Sequence, residues 1–148
     1  MFHVKHSILF NTESGYSIKL IKQLKLWLAF VCLNEHKQLF ALSYNFISDE
    51  DLRVINIDRL GHDYYTDIIT FDLSDNKETI EGDIYISYDR VKENAKVFHV
   101  KHSDELRRVL VHGLLHLIGY KDKSKNQKEL MRAKEDEYLS IYNSKFAK

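Results

Sequence analysis

The chain has 148 residues, 44% hydrophobic and 12% aromatic, which suits one domain with a core of its own. Lysine plus arginine and aspartate plus glutamate both number 22, so the formal net charge is zero, against a histone-like nonspecific polyanion binder. The longest apolar run is too short to span a bilayer, the opening Met-Phe-His-Val-Lys-His lacks a signal-peptide pattern, and a single cysteine, Cys32, excludes an internal disulfide and a cysteine-based zinc site.

A cytoplasmic protein is therefore the expectation, with Cys32 in its core. The charge is unevenly spread. Residues 1–46 carry five lysines against two glutamates, residues 47–90 twelve acids against four bases, and residues 91–148 thirteen bases against eight acids. A local basic face in the last third is compatible with the neutral total.

In chain order, residues 2–10 read as a first strand. The segment Phe-His-Val-Lys-His-Ser at 2–7 recurs at 98–103, too short to make a repeat architecture. Residues 11–16 have turn chemistry. Residues 17–34 read as a helix, with Leu20, Leu24, Trp27, Leu28 and Val31 on one stripe. Residues 38–47 form a second strand, and Ser48 or Asp49 caps a helix through about Leu60, with acids in its first turn.

Residues 61–66 form a loop. Residues 67–73, rich in β-branched side chains, form a third strand and residues 82–87 a fourth. Residues 88–97 read as a helix. Ser103 is expected to cap the next one, with Asp104 and Glu105 in its first turn. Leu106, Val109, Leu110, Gly113, Leu114 and Leu117 complete its apolar stripe, and Val111, Leu115 and Ile118 make much of the other side apolar. Ser124 and Gln127 fit a capping box opening a last helix from 125 to 142, with Met131, Tyr138 and Tyr142 facing inward. There is no proline and no linker. Strands and helices do not alternate strictly, so the expected fold is one α+β domain over residues 1–148, a small mixed four-stranded sheet against helices.

The chemistry concentrates at residues 109–122. Between Val109 and Ile118 the only polar side chains are His112 and His116, one helical turn apart on one face. Burying two imidazoles requires partners for their ring nitrogens, and a metal satisfies two at once. Gly119 offers a helix stop, and the chain turns to bring up Asp122. His112, His116 and Asp122 make a three-ligand site for zinc or a similar ion, with a fourth position open to water.

The spacing resembles the long zinc signature of metzincin proteases. A protease, however, needs glutamate directly after the first histidine as general base, and that position is Gly113. Lys121, Lys123, Lys125, Lys128, Arg132 and Lys134 follow the site and suit backbone phosphates. Tyr64, Tyr65 and Tyr120 offer rings for unpaired bases.

His112-Gly-Leu-Leu-His116-Leu-Ile-Gly119-Tyr120 closely resembles the signature of the YbeY family, bacterial metal-dependent endoribonucleases of ribosomal RNA maturation. Thr66-Asp-Ile-Ile-Thr-Phe71 resembles that family's Thr-Asn-Val-Leu-Ser-Phe strand, and Gly82-Asp83-Ile-Tyr-Ile-Ser87 its Gly-Asp strand. The resemblance covers roughly residues 38–142. It implies one zinc ion per chain, cleavage of single-stranded RNA, 3′-end processing of 16S ribosomal RNA and ribosome quality control. Its expected partners are ribosomal RNA and the small ribosomal subunit or its assembly factors, with no membrane and no DNA. Lys121 and Lys123 would hold the substrate.

Two positions depart from the family pattern. Where it commonly has histidine as third ligand, this chain has Asp122, a form that resembles the Bacteroidetes branch. The family's functional arginine aligns with Leu60. Arg59 is adjacent and is carried over as the catalytic arginine, although neighbouring helix residues point about 100° apart. A rival reading follows from that gap, a ribosome-assembly factor with structural zinc and little activity. A metallopeptidase is a more distant one.

Overall fold

The computed structural model describes residues 7–13 and 15–147. Ten elements follow in order. They are β1 (Ile8–Thr12), α1 (Ile21–Asn34), β2 (Gln38–Ile47), α2 (Asp49–Leu60), β3 (Ile68–Asp72), β4 (Thr79–Ser87), α3 (Tyr88–Val97), α4 (His102–Ile118), α5 (Lys125–Ile141) and a π-helical turn at Tyr142–Phe146. The four strands form one mixed sheet in the order β1-β2-β4-β3. β1 and β4 run parallel to β2, and β3 closes the sheet antiparallel to β4. The α+β expectation holds.

Alternation decides which sheet face is covered. Leu42, Tyr44 and Phe46 on β2 are buried, as are Ile80, Ile84 and Ile86 on β4. The register pairs Tyr44 with Ile84 and Phe46 with Ile86, so these side chains share one face. α4 lies against that face, closely enough that a Cβ on Gly113 would meet Ile68 Cδ1 at 2.9 Å and Ile84 Cδ1 at 3.0 Å. A Cβ on Gly82 would likewise meet Leu117 at 2.8 Å. The Tyr44 hydroxyl donates to the Leu110 carbonyl at 2.8 Å and fastens helix to sheet inside the core. Trp27 Nε1 donates to the Tyr138 carbonyl at 2.8 Å, joining α1 to α5. Met131, Tyr138 and Tyr142 face inward as expected. Cys32 is buried, and burial pushes its thiol up to about 12, so it is core rather than chemistry.

Several boundaries differ from the sequence expectations. Of the strand expected at 2–10, residues 2–6 lie outside the described residues, and the strand runs on through Thr12. The helix expected from residue 17 starts at Ile21, because Leu20 takes a left-handed backbone, φ 58°, that helix cannot pass through. Leu20 is accordingly exposed and leaves the buried stripe to Leu24, Trp27, Leu28 and Val31. β4 begins at Thr79 rather than Gly82, since pairing with β2 already starts at Gln38 and Thr79. Ser103 does not cap α4. The Lys101 carbonyl already accepts from Asp104 N and Glu105 N, both at 3.1 Å, so the helix closes on Lys101 with no side-chain cap. Ser48 and Ser124 do cap α2 and α5, the latter with a full capping box to Gln127.

Candidate metal centre

α4 presents both histidines on the side away from the sheet. His112 Nε2 and His116 Nε2 lie 3.1 Å apart. At the end of α4 the chain turns through Gly119, whose φ of 128° suits glycine. It then returns Asp122 to the helix face. Asp122 Oδ2 stands 3.2 Å from His116 Nε2 and 3.4 Å from His112 Nε2. Among the described residues these three form the one group of histidine, cysteine or acidic side chains with ligand atoms close enough to share an ion. The structure therefore brings together all three residues expected from the spacing.

The other ring nitrogens explain why a cation fits. His116 Nδ1 donates to the Tyr120 carbonyl at 3.1 Å, an acceptor only. His112 Nδ1 donates to Glu135 Oε2 at 2.6 Å. With both neutral rings protonated at Nδ1, both Nε2 atoms turn bare lone pairs toward each other and toward a carboxylate oxygen. A hydrogen bond there would need an extra proton on one ring; a metal cation satisfies all three atoms at once. The separations of 3.1, 3.2 and 3.4 Å lie close to those on a face of a tetrahedral zinc site, where ligand atoms about 2.0–2.2 Å from the ion stand about 3.3–3.6 Å from one another.

Glu135, on α5, is the residue that sequence reading missed. It is buried and accepts from Arg108 Nη1 at 2.8 Å through its other oxygen. Arg108 in turn pairs with Asp136 at 2.7 Å. Burial alone would raise the Glu135 carboxyl; the hydrogen bonds from His112 and Arg108 outweigh it and hold the group below its ordinary range. Burial disfavours charge on His112, but Glu135 outweighs that and moves the ring above its ordinary value. A buried glutamate in an otherwise polar stretch of α5 was the available signal, legible only once α5 is docked on α4.

The turn that carries Asp122 has an anchor of its own. The Tyr120 hydroxyl donates to Glu35 Oε1 at 2.7 Å, and the Tyr138 hydroxyl donates to Glu35 Oε2. Lys134 Nζ lies 3.5 Å from the same carboxylate. One glutamate at the end of α1 thus ties the ligand turn to α5.

The remaining expected site residues stand apart from the triangle. Lys121 and Lys123 are exposed on either side of Asp122. Arg59 is exposed on the last turn of α2, its guanidinium 5.7 Å from the centre of the Phe71 ring. Tyr120 and Lys134 serve the Glu35 anchor, and Tyr65 lies between the Arg53 and Arg90 guanidiniums at 5.5 and 5.3 Å. Asp67, at the mouth of β3, shares a cleft with His112, Glu105, Arg108, Arg132 and Glu135. Among the described residues no helix is long and apolar enough to cross a membrane.

The chain is similar to known proteins over most of its length. The family model described as Endoribonuclease YbeY matches residues 9–143. A Cytophaga hutchinsonii protein named Endoribonuclease YbeY is 52% identical over 132 residues, 89% of this chain and 92% of its own. A Flavobacterium johnsoniae protein of the same name is 46% identical, covering 90% and 96%. The solution structure of a Thermotoga maritima protein superposes with a TM-score of 0.61 at 28% identity, over 93% of this chain and 92% of that one. Matched over most of its length by the family model and by relatives well above 30% identity, the chain belongs to the YbeY endoribonuclease family.

Proposed function

We propose that this protein is a zinc-dependent endoribonuclease that cuts single-stranded RNA, matures the 3′ end of small-subunit ribosomal RNA and serves ribosome quality control in the cytoplasm. The observation that carries the reading is the convergence of two imidazole lone pairs and a carboxylate oxygen within 3.4 Å, in a chain of this family. One zinc per chain would be held by His112, His116 and Asp122. When bound there, it would supply an acidified water and a Lewis acid for a phosphoryl oxygen.

The chain's own groups do the rest. Glu135 and the Tyr120 carbonyl keep both Nδ1 atoms protonated, so both Nε2 atoms stay free as ligands. Asp67 lines the cleft beside His112 and is the carboxylate available to take a proton from an attacking hydroxyl. Lys121 and Lys123 beside Asp122 offer cations to the RNA backbone. Arg59, beside the position of the family's arginine, would add a further cation for the scissile phosphate. The proposed partners are ribosomal RNA and the small subunit or its assembly factors.

One observation favours the assembly-factor reading. Leu60 stands where the family has its arginine, and Arg59 rests on Phe71. The test is cleavage of a labelled single-stranded RNA and its duplex by the zinc-loaded protein, by His116→Ala and by chelated protein. Cutting of the single strand alone, lost in the variant and in chelator, is expected. A folded, zinc-loaded protein that cuts neither would leave zinc a structural role. Product ends separate the two nucleophiles: a cyclic phosphate marks the RNA 2′-hydroxyl, a preserved 2′-hydroxyl marks water.

A further inference from the structure

Beside the metal centre lie two clefts of about 280 and 240 Å³ that share Phe98, Glu105, Arg108 and Arg132 and so form one groove. The second reaches His112 and Asp67. Glu105 is 6% exposed. Among the described residues no hydrogen bond or ion pair closes on its carboxylate, although Arg108, Arg132, Asp67 and Glu135 all act on it electrostatically. Glu135, one wall away, is fully bonded. The Glu105 oxygens therefore open to the groove: among the described residues the one fully buried side-chain polar atom without a partner is the Tyr142 hydroxyl, not Glu105. Phe98, by contrast, leaves an apolar ring 60% exposed at the end of α3. Arg132 is held by one long contact, 3.8 Å to Glu135, and its side chain is 65% exposed.

A flat apolar ring, an unpartnered carboxylate and a loosely held guanidinium in one groove describe a nucleobase site. Single-stranded RNA is read by stacking on aromatic rings and by hydrogen bonds to unpaired base edges. Among the bases only guanine offers two parallel N–H donors, at N1 and N2, to match the two acceptor oxygens of a carboxylate. Adenine and cytosine set a ring acceptor beside their amino group. Uracil sets its N–H between two carbonyls. Guanine also carries O6 next to N1, where a guanidinium can donate. We propose that this groove is a guanine subsite, with Phe98 stacked on the base, Glu105 accepting from N1–H and N2–H, and Arg132 donating to O6. It rests on the ribonuclease reading above and adds the base that lies beside the scissile phosphate.

The test is fluorescence anisotropy with 5′-labelled RNA pentamers, UUGUU, UUAUU and UUCUU, on metal-free full-length protein, so that no strand is cut. The guanine pentamer should bind about tenfold more tightly than the other two. Glu105→Gln should bring the three within about twofold, since a carboxamide presents one acceptor where guanine needs two. Phe98→Ala should weaken all three alike. Should Glu105→Gln fail to fold, Arg132→Met, on an exposed helix position, should cut the guanine preference about threefold. Equal binding of the three pentamers by wild type, or a guanine preference untouched in Glu105→Gln and Arg132→Met, overturns the subsite and leaves the nuclease reading standing. If no pentamer binds and the zinc-loaded protein cuts no RNA, the nuclease reading itself falls.

Discussion

Glu135→Gln is the substitution that most directly probes the metal centre without touching a ligand. Glu135 accepts two donors, His112 Nδ1 at 2.6 Å and Arg108 Nη1 at 2.8 Å. A carboxamide has one oxygen and one NH2 in the same place. If its oxygen serves Arg108, its NH2 faces His112 and forces that ring to protonate Nε2, the ligand atom. If its oxygen serves His112, an N–H faces Arg108. Loss of such an outer partner costs about 10–100-fold in metal affinity, or about 1.4–2.7 kcal/mol. The folding cost should be smaller than for a wholly buried pair, because Arg108 keeps Asp136 at 2.7 Å on its exposed side; about 1–3 kcal/mol is expected. Zinc competition against a chelating dye reads the first quantity, and thermal melting of the metal-free protein the second. Zinc affinity within twofold of wild type, in a variant that folds, would refute the orienting role of Glu135.

Other perturbations separate ligand, packing and charge. Asp122→Ala should lower zinc affinity by about 100-fold or more, whereas Asp122→His should keep about one zinc per chain by mass spectrometry, because imidazole is an equally good ligand there. Gly113→Ala places a methyl 2.9 Å from Ile68 and 3.0 Å from Ile84, and should cost about 1–3 kcal/mol in denaturant melts. Glu35→Gln should alter the pH dependence of stability. Burial alone would raise this carboxyl, but the Tyr138 and Tyr120 hydroxyls and Lys134 outweigh it and set the folded value below the ordinary one. The stabilisation is therefore complete above the ordinary glutamate range and is lost as pH falls through the folded value. In acid melts the variant should show a flatter profile than wild type; parallel profiles would remove Glu35 from the account.

The centre was legible because its signal is local. His112 and His116 are polar positions in an apolar helix, and Gly119 announces the turn that delivers Asp122. Gly113 spoke against a protease for lack of a base. The structure adds that the position faces Ile68 and Ile84 across the sheet, where no glutamate would fit. Element types were readable wherever periodicity and caps agreed, as at Ser48 and Ser124. They slipped where tertiary contacts intervened, as at Leu20, whose left-handed backbone delays the start of the helix to Ile21. Glu135, Glu35 and Glu105 were invisible because each is defined by a neighbour distant in sequence. In polar stretches a glutamate that bonds a ligand looks like one that faces water. The lysines and tyrosines after the site read partly wrongly for the same reason, Tyr120 and Lys134 serving the Glu35 anchor rather than standing free.

That anchor sets an order of assembly. Residue 35 holds residue 120 in place, and the two are 85 positions apart. Asp122 can therefore reach the histidines only after the first quarter of the chain has docked on the last. Contacts of such long range close late, since loop entropy opposes them until the rest of the core is formed. The ion site is then a completion mark: a partly folded chain has two histidines on a helix but no fixed third ligand. Capture of the metal in turn holds α1, α4 and α5 together, so amide exchange at the end of α1 should slow when zinc is added at a site on the other side of Tyr120. Cutting power and finished folding would thus arrive together, which keeps an immature chain from acting on RNA.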